Sequence, residues 1–156
     1  MKITKELLRE KGACAAGYRD FLKEFPEEKY PDGVEYQDLL DCCAEKNFSY
    51  GSWLLSEFGR TDDVRRVDGD LITKKSIIFA GRLEVSGIIE AGEGIKAGCG
   101  IKAGKGIEAG CCIKAGCEFG IYAGIRVRIT SEYRKIIAKT KPENIMCGEF
   151  VEAENE

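Results

Sequence analysis

The chain has 156 residues, 44% hydrophobic and 33% charged, with a formal net charge of −3. These proportions exclude a disordered or collagen-like chain, and the near balance of charge gives no global polyelectrolyte signal. Nineteen glycines are the one compositional excess. The length suits one domain with a small appended module.

The first segment, MKITKELLREKG, is charged and amphipathic and lacks the apolar core of a signal peptide. No apolar run approaches the ~18 residues of a membrane span. A soluble, cytoplasmic protein is the expectation.

Residues 1–66 read as a helical module. Thr4 is placed to cap KELLREK, which Gly12 ends. ACAAGYRDFLKEF carries Phe21, Leu22 and Phe25 at helical spacing, and Pro26 and the PDG at 31–33 break it. YQDLLDCCAEKN puts Leu39, Leu40 and Cys43 on one side. SYGSWLLSEFG supplies Trp53, Leu54 and Phe58, with Gly59 as a natural stop. The aromatic residues are expected to form a small core. Residues 1–70 hold 11 basic and 16 acidic residues, a charge of −5.

Residues 67–130 carry a six-residue beat. Leu71, Ile77, Leu83, Ile89, Ile95, Ile101, Ile107, Ile113, Phe119 and Ile125 fall on one register, ten hexads without a gap. Two places after each stand Thr73, Phe79, Val85, Ala91, Ala97, Ala103, Ala109, Ala115, Ile121 and Val127. Apolar residues at positions 1 and 3, with a mostly charged residue between them, make a three-residue strand. Glycines at positions 4 and 6 suit a tight corner. A helix is excluded, because the glycines break it and the beat misses the 3.6-residue period. The expected fold is α+β: a β-solenoid of ten hexads with an N-terminal helical module and a C-terminal β cap. No hexad buries enough apolar surface alone, so stacking must supply the core. Ala at position 3 in the middle predicts a narrow waist with bulkier ends.

Coils of 12 or of 18 residues both suit the beat. An 18-residue coil sets Glu90 beside Glu108 and Lys96 beside Lys114, whereas a 12-residue coil alternates the signs. The charge pattern favours 12, with the triangular 18-residue coil as the alternative. Residues 131–156 drop the beat. KIIAKT and NIMCGEFV read as two strands joined by KPEN, capping one end of the stack before an acidic tail, while the helical module covers the other end.

For chemistry the sequence offers little. It contains no histidine, the base of the hexapeptide-repeat acyltransferases, so the likeness to them is architectural only. No nucleophile elbow, phosphate loop or dinucleotide fingerprint is present. Asp62, Asp63, Asp68 and Asp70 read as a solvated border rather than a metal site. A non-enzyme without a cofactor is expected. Among the eight cysteines, Cys99 neighbours Cys111 on a 12-residue coil and Cys117 on an 18-residue coil, with Cys112 close by. Two thiolates without paired knuckles or a histidine are a poor zinc set, although a zinc-stabilised interaction module stays among the alternatives.

The candidate binding residues are Arg126, Arg128, Arg134, Lys135, Lys139 and Lys141, opposed by Glu132 alone within 126–141. Arg126 and Arg128 are expected to point out from one strand face. Such a stripe meets phosphates or an acidic protein; its alternative role is a solvated rim that stops an end strand from pairing. Direct nucleic-acid binding has weaker support, because no aromatic platform is interleaved.

Three segments, GACAAGYRDFLKEFP, the I-K-A-G hexads and ENIMCGEFVE, together resemble small, functionally unassigned proteins of phages and gut bacteria that join a short helical N-terminus to I-x-A-G repeats. The resemblance implies a mobile-element origin and a place in the host cytoplasm. By analogy with anti-CRISPR inhibitors, the expected function is occupation of a host protein surface, with a Cas nuclease or another nucleic-acid enzyme as partner. A homo-oligomeric virion or appendage component is the alternative.

Overall fold

A computed structural model describes residues 1–116 and 119–154. In the N-terminal module, β1 (Lys2–Ile3) pairs antiparallel with β2 (Val34–Glu35). Four helices accompany the pair: α1 (Lys5–Glu10), α2 (Ala15–Glu24), α3 (Tyr36–Glu45) and α4 (Gly51–Phe58). Local chemistry sets their ends. Thr4 caps α1, its hydroxyl oxygen accepting from the Leu7 N–H at 3.1 Å. Cys14 caps α2, its Sγ accepting from the Gly17 N–H at 3.3 Å. Gly59 stops α4 at φ 78°, where a side chain would be strained. The core includes Ile3, Leu8, Phe21, Leu40 and Leu54. Leu22 is 36% exposed and lies outside it.

From Val64 onward the chain winds through about five turns of a parallel β-solenoid. The first sheet collects β3 (Val64–Val67), β6 (Arg82–Val85), β9 (Ile101–Ala103), β12 (Ile121–Ala123) and β14 (Ile145–Cys147). The second collects β4 (Leu71–Thr73), β7 (Ile89–Ala91), β10 (Ile107–Ala109), β13 (Lys135–Ala138) and β15 (Glu149–Glu152). The third holds β5 (Ile77–Phe79), β8 (Ile95–Ala97) and β11 (Ile113–Lys114). The Ile and Ala positions point inward and form one continuous core.

The coil is the 18-residue one, and the 12-residue preference is overturned. Leu71 stacks on Ile89 and Ile89 on Ile107, while Ile77 stacks on Ile95 and Ile95 on Ile113. Glu90 does lie beside Glu108, and Lys96 beside Lys114. Such exposed pairs cost only a few tenths of a kcal/mol each. That is too little to choose a coil when each buried Ile contributes about 1.5–3 kcal/mol.

The beat also slips once. Ile121, not Phe119, stacks on Ile101, two residues late. Ile125 is 50% exposed. The hexads expected at Phe119 and Ile125 therefore do not stack. The bulky position-3 residues Phe79 and Val85 gather at the N-terminal end only, because Ala123 and Ala138 keep the far end narrow.

The C-terminal segment ends the rod by extending its ladders. KIIA forms β13, parallel to β10. NIMCGEFV breaks at Gly148, φ 115°, into β14 and β15, which join different sheets.

The helical module closes the opposite edge of the third sheet. Gln37 of α3 donates Nε2 to the Ile78 carbonyl at 2.8 Å and accepts at Oε1 from the Ala80 N–H at 3.0 Å. Its amide thus replaces a peptide group of an absent neighbouring strand. Ile78 and Ala80 are buried in the module's core. The acidic border works nearby: Asp70 Oδ1 accepts from the Ile88 N–H at 2.8 Å, and Asp68 Oδ1 accepts from the Ser86 hydroxyl at 3.2 Å. No helix among the described residues is long and apolar enough to cross a membrane.

The close approach of the coils is testable at one corner. A Cβ on Gly92 would overlap the Lys74 carbonyl oxygen of the preceding coil, whereas one on Gly94, in the same corner, would find its nearest atoms at 3.5 Å. Gly92→Ala is expected to lose about 1–3 kcal/mol in chemical denaturation, and Gly94→Ala less than about 0.5 kcal/mol. Equal losses would refute the close approach.

A second prediction concerns alkali. Burial pushes the Tyr36 hydroxyl from 10.0 to about 12 and the Cys43 thiol from 9.0 to about 12. The unfolded chain therefore gives up these protons first as pH rises, so the two groups leave stability unchanged below about pH 9 and lower it from there to about 12. Cys43→Ala should shrink this loss without moving its onset, because burial also raises the Cys42, Cys99 and Cys112 thiols. Urea midpoints measured across the range from about pH 8 to about pH 12 test it.

Candidate functional site

The six basic residues are placed at two corners rather than along one stripe. Gly124, at φ 76°, ends β12, and its N–H donates to the Lys105 carbonyl at 2.7 Å. Arg126 N–H then donates to the Gly104 carbonyl at 3.0 Å. The chain turns through 125–130 and forms a short 3-10 turn at Glu132–Arg134 before entering β13. Arg126 and Arg128 therefore stand on a loop; the expected strand face does not exist. Arg134 turns back into that loop, its Nη1 donating to the Ile129 carbonyl at 3.3 Å. Lys135 begins β13, opposite Glu149. Lys139 and Lys141 follow β13 at the next corner, where the Lys139 N–H donates to the Cys111 carbonyl.

The loop 124–134 carries an apolar signal that the charge count overlooked. Ile129 is 78% exposed, and Ile125 and Tyr133 are each 50% exposed. The Lys105 ammonium lies 5.3 Å from the Tyr133 ring centre. The result is a loop anchored at both ends that displays Ile125 and Ile129 among Arg126 and Arg128. The exposed Ile129 was visible in the sequence as an apolar residue off the beat.

A second feature lies in the helical module. A cleft of about 360 Å³ opens among the four helices. Phe21 forms part of its floor, while Phe25, Phe48, Tyr50 and Trp53 line it half-buried. The aromatic residues thus form a core with an opening rather than a closed core. Asp20 and Glu24, one turn apart on α2, are its charged lining residues. Asp20 accepts from the Tyr50 hydroxyl at 2.9 Å. Burial raises the Cys42 thiol, and the negative Glu24 raises it further. Acidic residues interleaved with Phe21 and Phe25 on one helix were the available sequence signal.

Among the described residues the cysteines do not gather at one site, although the neighbouring Cys111 and Cys112 thiols interact. Cys99 is buried, and its Sγ donates to the Thr61 carbonyl at 3.4 Å. Cys111 is exposed and Cys112 half-buried at a different corner, so the Cys99–Cys111 neighbourhood expected for a 12-residue coil is absent. The alternative partner, Cys117, lies outside the described residues. Among the described residues, no three His, Cys, Asp or Glu side chains come together as a metal-ligand set.

Residues 1–64 match the family model described as the YdhT N-terminal domain. A search of curated proteins gave no match, and neither did a search of solved structures. The matched span ends at Val64, where β3 begins, so the family likeness covers the helical module and none of the stacked coils beyond it.

Proposed function

We propose that the chain is a non-enzymatic binding protein. Loop 124–134 contacts the acidic surface of a partner protein, and the solenoid serves as its rigid mount. The supporting observation is the loop itself. It is the longest connection between solenoid strands among the described residues, and it exposes Ile129 beside two arginines. Insertions in repeat proteins commonly carry the binding face. Anchoring through Gly124 and Arg134 limits the ordering entropy lost on docking. The finer reading is an anti-CRISPR-like inhibitor from a phage, with a nucleic-acid-handling enzyme of the host as target. It draws on the resemblance of the flanking segments and on the acidic charge of the helical module, which has the sign of a nucleic-acid backbone.

The open edges at β14 and β15 favour a second reading, a homo-oligomeric structural component. Met146 on β14 is 66% exposed and Val151 on β15 is 36% exposed. Glu149 and Glu152 lie on that same final strand and oppose pairing between copies. Light scattering separates the two: a monomer supports the binding reading, and a stable trimer or filament supports the structural one.

The direct test immobilises the chain, captures partners from a host lysate, and measures the captured partner's affinity. Arg126→Glu with Arg128→Glu is expected to weaken it at least about tenfold, mainly through a slower association that added salt no longer slows further. Ile129→Asp should weaken it further, with the unfolding midpoint unchanged. Equal capture by the parent chain and both variants would overturn the assignment of the loop.

A further inference from the structure

The cleft in the helical module lies apart from the loop and has its own chemistry. Its volume, about 360 Å³, falls within the range of small-molecule sites. Its walls are aromatic and aliphatic, and neither a lysine nor an arginine lines it. Asp20 and Glu24 give it one sign of charge. Their spacing of four residues on α2 sets two like charges on one helix face, an arrangement that is unfavourable by itself. Among the described residues, neither carboxylate has an ion-pair partner. Asp20 keeps its hydrogen bond from Tyr50, which fixes it at the lining, and among the described residues the Glu24 carboxylate accepts none. An apolar wall beside unneutralised carboxylates focuses the field into the opening.

We propose that this cleft is a binding site for a small organic cation with an aromatic or aliphatic body. The body replaces water against Phe25, Phe48 and Trp53, and the cationic end meets Asp20 and Glu24. The charge relieves the carboxylate repulsion on α2, and the aromatic faces add cation–π attraction. An anion of the same shape gains the apolar contact and meets repulsion instead. The cleft therefore selects by charge among ligands of similar size.

Trp53 is the single tryptophan of the chain and lines the cleft, so its emission reports occupancy directly. The full-length protein is titrated at low salt with 4-phenylbutylammonium and, separately, with 4-phenylbutyrate. Saturable change in Trp53 emission is expected with the amine, at an affinity at least about tenfold above that of the carboxylate. In Asp20→Asn with Glu24→Gln the ratio should fall below about threefold. The amide introduced by Asp20→Asn can still accept from the Tyr50 hydroxyl, so the helical signal and melting midpoint should stay unchanged. Should the double variant unfold, Glu24→Gln alone must give an intermediate ratio, and about 0.5 M salt must compress the ratio in the parent chain. The Arg126→Glu, Arg128→Glu chain should bind the amine as the parent does, which separates this site from the loop. Equal affinity for amine and carboxylate, no saturable response to the amine, or a preference that survives removal of both carboxylates would overturn the proposal.

Discussion

Everything in the solenoid depends on the stacking of one coil on the next at backbone contact distance. Leu83 under Ile101, Ile101 under Ile121, and the equivalent columns in the other two sheets bury side chains that no single coil covers. Ile89, Ile95, Ile101 and Ile107 are at most 1% exposed. Each contributes about 1.5–3 kcal/mol by burial, and each is covered only while its neighbours above and below stay in register. The same approach explains the glycines after each Ala. At Gly92 the previous coil's carbonyl occupies the space a side chain would need. Isoleucine columns and corner glycines are therefore two consequences of one geometry.

A stack of this kind creates a difficulty at its ends, where strand edges expose backbone donors and acceptors. The two ends are handled differently. At β5, a side-chain amide completes the ladder, and α3 with α4 then buries Ile78 and Ala80, which would otherwise face water. Gly51 on α4 lets that helix approach, since a Cβ there would sit 2.6 Å from Ile78 Cδ1. At the far end the chain keeps adding strands, and acidic residues occupy the last one. The helical module is thus a structural requirement of the first coil as well as the carrier of the cleft.

The sequence disclosed the features that rest on strong local or repeated constraints. The helix start at Thr4 and the stop at Gly59 follow from caps and backbone conformation. The strands follow from eight hexads that keep one register from Leu71 to Ile113. Coil size was illegible, because hexad spacing is common to both coils and surface charge discriminates between them only weakly. Lys96 illustrates why that discriminator is weak: its ammonium donates to the Ser52 hydroxyl of α4 besides facing Lys114 in the next coil. The slip before Ile121 was hidden because Phe119 and Ile125 happen to continue the apolar pattern. The loop and the cleft are both tertiary. Ile129 stands off the six-residue beat, but its exposure follows only from the chain leaving the stack, and the opening beside Trp53 arises only from how four helices meet.

Rigidity and irregularity divide the work between them. The strands Ile89–Ala91 and Ile107–Ala109 have the same three residues, so successive coils present nearly the same surface. Such a surface cannot name a partner. Discrimination needs departures from the repeat, and the chain has two of them at different heights along the stack. The module is fastened at β5, in the first turn, and loop 124–134 leaves after β12, which lies three coils up the ladder from β3. At about 4.8 Å per coil the two are separated by roughly 11 Å along the axis. Their charges are opposite in sign, and neither can collapse on the other while the Ile columns stay in register. The repeat thus contributes to recognition by holding an acidic cleft and a basic loop apart, each free to meet a ligand of its own.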